Sequence, residues 1–100
     1  MKVRIWKAKV GHVKPEISLV ISIIAGAEIG GTAWITSLLR PGDDDSLHQS
    51  GRAVDLDTTG TETNKELLRY LRRSLSDEYD VIMEDIDEAN EHIHVEYDPS

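Results

Sequence analysis

A histidine and an aspartate seven residues apart are the first candidates for chemistry in this sequence. His48 and Asp55 stand in the segment SLHQSGRAVDLD, which begins at Ser46, and apolar residues flank the aspartate. A buried carboxylate has a high desolvation cost unless a partner neutralises it. A divalent cation supplies that partner, and zinc accepts imidazole nitrogen and carboxylate oxygen at roughly 2.0–2.2 Å. The segment is therefore compatible with a metal site.

The residues between His48 and Asp55 leave room for such a site. Gly51 permits a tight bend that brings the two side chains together, and Ala53 is too small to intrude beside a metal. The same spacing also fits a surface histidine in a loop and a solvent-facing aspartate in a strand. The pair alone leaves both interpretations open, and a third ligand would favour the metal.

Two further histidines offer that third ligand. His92 and His94 stand in the segment EHIHVEY, whose alternation of polar and apolar residues predicts a strand. Residues two apart in a strand point to the same face, so we expect both imidazoles on one side of the sheet. One can coordinate the metal while the other contacts the water or the substrate. The alternative is a pair of exposed histidines on an edge strand.

Three motifs together resemble the zinc D-alanyl-D-alanine peptidases. This family includes VanY-like carboxypeptidases, VanX-like dipeptidases and the L-alanyl-D-glutamate endopeptidases of phage endolysins. Residues 46–55 match the family pattern SxHxxGxAxD at five positions. Glu91 and His94 match the later pattern ExxH, and Thr36, Ser37 and Arg40 match a TSxxR segment that precedes the first motif. The motifs occur in the family's order, and the resemblance covers about residues 32 to 98.

The resemblance implies a ligand set and a general base. The zinc ligands would be His48, Asp55 and His94. Glu91 would take a proton from the metal-bound water and later give it to the leaving amine. The cofactor would be Zn²⁺, which lowers the pKa of its bound water and polarises the scissile carbonyl.

The catalytic roles of two residues, Arg40 and Glu91, depend on where the fold places them. Arg40 would bind the substrate carbonyl or its developing oxyanion, but the loop from Arg40 to His48 is shorter than the family pattern, so an exposed loop arginine is the alternative. Glu91 and His94 point to opposite faces if both lie in a regular strand. The base role therefore requires Glu91 to precede the pleated residues, and if the strand starts earlier, His92 becomes the better candidate.

These side chains would be positioned by an α+β domain. The sequence predicts an N-terminal extended segment, a helix over 16–28, strands over 32–38 and 53–57, a helix over 62–75, and strands over 79–84 and 92–97. The first helix is apolar almost all round, which predicts a central core helix. We expect one domain over residues 1–100, with two helices packed on a mostly antiparallel sheet. The resemblance implies the hedgehog/DD-peptidase-like version of that fold.

Composition excludes several functions. The net charge of −8 repels phosphate backbones, which argues against a nucleic-acid partner. The absence of cysteine excludes disulfides and thiolate metal sites. The apolar run over 17–27 is too short to span a bilayer, so we expect no membrane insertion. We also expect no signal peptide, synthesis in the cytoplasm and a monomer.

The combined expectation is a minimal zinc metallopeptidase. Its substrate and partner would be the peptide stem of bacterial peptidoglycan, cut next to a D-amino acid, and a phage origin would let it act on the cell wall after release. The motifs leave carboxypeptidase, dipeptidase and endopeptidase action open. The alternative is a non-catalytic metal-binding domain of a phage virion with the same fold.

Overall fold

The computed structural model describes residues 1–5, 15–37, 52–58 and 60–98. Within these ranges the chain forms two helices and five strands. In chain order they are β1 (Lys2–Ile5), α1 (Pro15–Ala25), β2 (Thr32–Ser37), β3 (Ala53–Asp57), α2 (Thr61–Ser74), β4 (Tyr79–Glu84) and β5 (His92–Tyr97). Two predicted site residues, Arg40 and His48, lie outside the described residues.

The five strands form one mixed sheet in the order β1-β2-β3-β5-β4. β1 and β2 run parallel, and every other neighbouring pair is antiparallel. Parallel neighbours need a crossover connection, and α1 lies in the crossover between β1 and β2. The expected α+β class, with two helices and a mostly antiparallel sheet, is confirmed.

Both helices contribute to one apolar core on one face of the sheet. Helix α2 buries Leu67 and Leu71, which lie one turn apart on the stripe that the sequence predicts. Against them pack inward-facing strand residues, which alternate along each strand as a half-buried sheet requires. The fully buried strand residues of this core include Ala33, Ile35, Val54, Leu56, Ile93 and Val95. The polar side chains of β3 and β5 are left for the other face.

Helix α1 differs from its prediction in length and burial. It ends at Ala25 rather than Glu28, and a turn at Gly26 follows, where glycine is a poor helix former. The apolar residues beyond that turn are buried in the non-helical segment that leads into β2. Helix α1 buries Ile17, Val20 and Ile24, but Leu19 is 51% exposed, so it packs on the core along one side rather than as the central core helix that the sequence predicts.

The register of the central strands brings the two site strands together. β3 and β5 are antiparallel neighbours in which Asp55 lies opposite His94 and Leu56 lies opposite Ile93. On the other side of β3, the pairing with β2 shifts at Thr36, which is a β-bulge. Bulges are common next to functional sites because they re-aim the chain locally.

No helix in the described part of the chain is long and apolar enough to cross a membrane.

Candidate functional site

Asp55 and His94 meet across the centre of the sheet. The Nδ1 atom of His94 lies 2.7 Å from Oδ1 of Asp55, and both side chains are largely shielded, with 14% and 6% of their areas exposed. The two residues are 39 positions apart in the chain. The antiparallel register of β3 and β5 makes them direct neighbours on the face opposite the core.

The second ring nitrogen of His94 also has a carboxylate partner. Its Nε2 atom lies 3.1 Å from Oε1 of Glu96, the next residue on the same face of β5. The hydrogen bond to Asp55 raises the pKa of His94, burial of the ring opposes that effect, and Glu96 adds to it. With carboxylate oxygens at both nitrogens, the imidazolium can donate at both, which is the favourable arrangement for a charge-assisted pair.

The Asp55–His94 pair also fits two ligands of a zinc ion. Two ligand atoms around a tetrahedral zinc lie ~3.3 Å apart, so the 2.7 Å contact would lengthen by roughly 0.6 Å. A ligating histidine almost always donates its other ring N–H to a carboxylate, a carbonyl or a water. Glu96 occupies that position at Nε2. The donor types and the outer partner are therefore those that a zinc site uses.

A different group of carboxylates also lies close enough together to share a metal ion. Among the described residues, Asp80, Glu96 and Asp98 have ligand oxygens within 4.8 Å of one another. Two of the three are exposed, and exposed acidic groups are common without an ion. The group contains neither Asp55 nor His94, whose third ligand by the resemblance is His48, outside the described residues.

Glu91 lies immediately before β5, which begins at His92. This is the position that the base role requires. Both carboxylate oxygens already accept hydrogen bonds: Oε1 from the Asp87 backbone N–H at 2.9 Å and from the Thr61 hydroxyl at 3.0 Å, and Oε2 from the Asn64 amide at 2.6 Å. The bond from Asp87, followed by the bond from Asn64, lowers the pKa of Glu91, while burial opposes them. Glu91 is therefore a well-oriented carboxylate whose hydrogen bonds favour its ionised form.

His92 lies on the same face as His94, as the alternation predicts. Its Nδ1 atom is 2.7 Å from the carbonyl oxygen of Asn90. A neutral imidazole that donates at Nδ1 keeps Nε2 as a proton acceptor. A carboxylate oxygen of Glu84 lies 3.6 Å from Nε2. If Nδ1 of His92 donates to that carbonyl, Nε2 is the acceptor that a base needs.

One open cleft joins these candidates. It has a volume of about 400 Å³, and Asp55, Glu91 and His92 all contribute to its lining, with Thr36 and Asn90 at its sides. The structure therefore brings one predicted ligand and both candidate bases to a common space, with the second ligand, His94, bonded to the first.

Asn64 was missed in the sequence analysis. It is fully buried in α2 and bonds to Glu91, Asp57 and Thr58. A signal was present, because Asn64 precedes Leu67 and Leu71 at helical spacing and so places an amide on the apolar stripe. A polar residue on such a stripe requires buried hydrogen-bond partners.

The comparisons with known proteins return nothing to set beside this geometry. The chain matches no family model, no curated protein and no solved structure.

Proposed function

We propose that the chain is a zinc-dependent peptidase domain of the D-alanyl-D-alanine peptidase type, with the hedgehog/DD-peptidase fold. Asp55 and His94 would hold the ion together with His48. The observation that carries this proposal is the 2.7 Å contact between Asp55 and His94, two motif residues that are distant in the chain. The carboxylate of Glu96 at the other nitrogen of His94 supports it further.

The chain's own residues have distinct tasks in the proposed reaction. When bound, zinc would lower the pKa of its water ligand and polarise the scissile carbonyl of the substrate. Glu91 accepts the proton of the attacking water at Oε2, which keeps a free lone pair after the bond from Asn64, and then donates it to the leaving amine. His92 is the second candidate for this task, through Nε2. Arg40 would orient the substrate carbonyl.

The proposed substrate is the peptidoglycan stem peptide, cleaved next to a D-amino acid. The open cleft beside Asp55 is compatible with an extended peptide rather than an enclosed small molecule. The protein would act as a monomer on the cell wall after release from the cytoplasm in which it is made.

A second candidate function is a metal-binding domain without turnover. The state of Glu91 favours it, because three hydrogen bonds lower the pKa of this carboxyl. A general base works best when its pKa is near the working pH. A carboxylate whose hydrogen bonds favour the ionised form is suited to stabilising the turn before β5.

Metal content and turnover, measured on the same preparations, separate the two candidates. We expect about one zinc per chain in the purified protein, lost in His48→Ala and Asp55→Ala and retained in the control Asp80→Asn. Asp80 belongs to the exposed acidic group, so this control also tests that group as the metal site. Incubation with purified peptidoglycan should release peptide fragments or alanine.

Each outcome of these measurements supports one candidate function or contradicts both. Zinc loss in the Asp55 variant with turnover in the wild type supports the peptidase. Full zinc occupancy without turnover on any stem peptide supports the non-catalytic domain. Zinc that survives Asp55→Ala but is lost in Asp80→Asn contradicts both.

A further inference from the structure

The buried amide of Asn64 uses its entire hydrogen-bonding capacity. Its Oδ1 atom accepts from the Thr58 backbone N–H at 3.0 Å and from the Thr58 hydroxyl at 2.7 Å. Its Nδ2 atom donates to Oδ1 of Asp57 at 3.1 Å and to Oε2 of Glu91 at 2.6 Å. An amide offers two donors and two acceptor sites, so none remains unused. Both partners of Nδ2 are carboxylates and one partner of Oδ1 is a backbone N–H, so only this orientation of the amide satisfies the network.

The partners of Asn64 belong to the two strands of the candidate site. Asp57 ends β3, and Thr58 follows it directly, whereas Glu91 directly precedes β5. Because β3 and β5 are antiparallel neighbours, the end of one lies beside the start of the other. The Asn64 side chain of α2 therefore binds the end of β3 and the start of β5 at once. Its contact on β3, Asp57, is two residues from Asp55.

We propose that Asn64 is a positioning residue, which directs the Glu91 carboxylate into the cleft and fastens the end of β3 to the start of β5. The catalytic meaning of this position rests on the proposed function, whereas the positioning itself requires neither metal nor turnover. The amide also stands between two carboxylates, Asp57 and Glu91, and donates a hydrogen bond to each, whereas an apolar side chain here would leave both without this donor.

The charged and hydrogen-bonding groups around Glu91 determine its titration, through which the positioning role of Asn64 can be measured. Lys65 on α2 adds a favourable charge, and the Asp87 backbone and Thr61 hydroxyl bind the other carboxylate oxygen. Asp57 accepts from the same amide, and the acidic residues Asp87 and Glu88 line one surface depression with Glu91. Of these contacts, Asn64→Asp replaces one donor to Glu91 with a carboxylate of nearly the same shape.

The first experiment titrates Glu91 in the metal-free protein by following its side-chain carboxyl carbon in NMR spectra. We expect the midpoint to rise by about one pH unit in Asn64→Asp, because a bond to the charged form is lost and a like charge is added. The control Glu66→Gln, an exposed change on the same helix, should leave the midpoint unchanged. An unchanged midpoint in Asn64→Asp overturns the proposal.

A second variant tests the bond itself by rescue. In Asn64→Asp combined with Glu91→Gln, the glutamine amide can donate to the new aspartate, so the hydrogen bond returns with its direction reversed. We expect the double variant to regain at least half of the thermal stability lost in Asn64→Asp alone. Additive losses in the two single variants, with no recovery, contradict the proposed pairing.

A third measurement uses the wild-type protein, so it tests the proposal even if the variants fail to fold. The side-chain amide protons of Asn64 should exchange with water at least tenfold more slowly than those of Asn90, which is exposed. Equal exchange rates overturn the proposal. None of these results depends on zinc or turnover, so loss of the proposed function would leave them unaffected, and their failure would leave zinc content unaffected.

Discussion

His94 and Asp55 form a hydrogen-bonded pair of 2.7 Å across β5 and β3, and Glu96 binds the far side of the same imidazole. This carboxylate–histidine–carboxylate row lies on the sheet face opposite the helices, where polar side chains need not enter the apolar core. The same row is compatible with the metal-free protein and with the proposed zinc-bound protein. Without metal it is a charge-assisted chain of hydrogen bonds, and with zinc it would supply two ligands and an outer partner.

Removing the acceptor of this pair should destabilise the metal-free protein. In Asp55→Ala, the largely buried imidazole of His94 loses its principal partner, and hydrogen bonds to charged groups contribute about 1.5–3 kcal/mol. We expect a loss of that order in urea unfolding at pH 6 with a chelator present. Asp80→Ala, at an exposed position, should change the free energy of unfolding by no more than about 0.5 kcal/mol. Equal effects of the two variants would show that the pair contributes no stability.

The raised pKa of His94 makes the stability of the metal-free protein depend on pH. A group whose pKa is higher in the folded state stabilises fully below its unfolded value of 6.5, and this contribution disappears as the pH rises through the folded value. We therefore expect the stability difference between wild type and His94→Gln to shrink from pH 6 upward. Urea unfolding at intervals up to pH 9 measures it. A difference that grows with pH would contradict the assigned cause.

Glu91 should produce the opposite pH dependence in acid. Its lowered pKa means that the ionised carboxylate stabilises the fold above the unfolded value of 4.5, and that this contribution is lost as the pH falls through the folded value. The stability advantage of wild type over Glu91→Gln should thus be complete at pH 6 and vanish in strong acid. Acid titration of both proteins, followed by circular dichroism, tests this. Parallel acid transitions would mean that the three hydrogen bonds do not favour the ionised form.

Kinetics of paired variants should identify the general base. If Glu91 is the base, Glu91→Gln should lower kcat by about 10²- to 10⁴-fold, the usual contribution of a positioned base. His92→Gln should then have a much smaller effect, with zinc content unchanged in both variants. The reverse order would assign the role to His92, whose Nε2 is a free acceptor when Nδ1 donates to Asn90. Small effects of both changes would contradict a catalytic role for either residue.

The strands of the site were predictable because their signals are local. The segments 53–57, 79–84 and 92–97 alternate or carry β-branched residues between turn residues, and each strand has the predicted bounds. The alternation also placed His92 and His94 on one face. Helix α1 was predicted too long, because the apolar residues after Gly26 are buried by the tertiary fold without being helical.

The network around Asn64 could not be derived from local signals. Its partners, Thr58 and Glu91, are 6 and 27 residues away in the chain, and only the order of strands in the sheet brings them to one amide. The parallel pairing of β1 with β2 likewise depends on the complete sheet. The Asp55–His94 contact was expected from the family resemblance, whereas the outer partner Glu96 follows from the orientation of the ring, which spacing alone does not determine.

The location of the metal tests the central claim most directly. A crystal of the zinc-loaded protein, measured at the zinc absorption edge, should show an anomalous peak at roughly 2.0–2.2 Å from the side chains of His48, Asp55 and His94. That result would establish the proposed ligand set. A peak at Asp80, Glu96 and Asp98 instead, or none near Asp55 and His94 at saturating zinc, would contradict it.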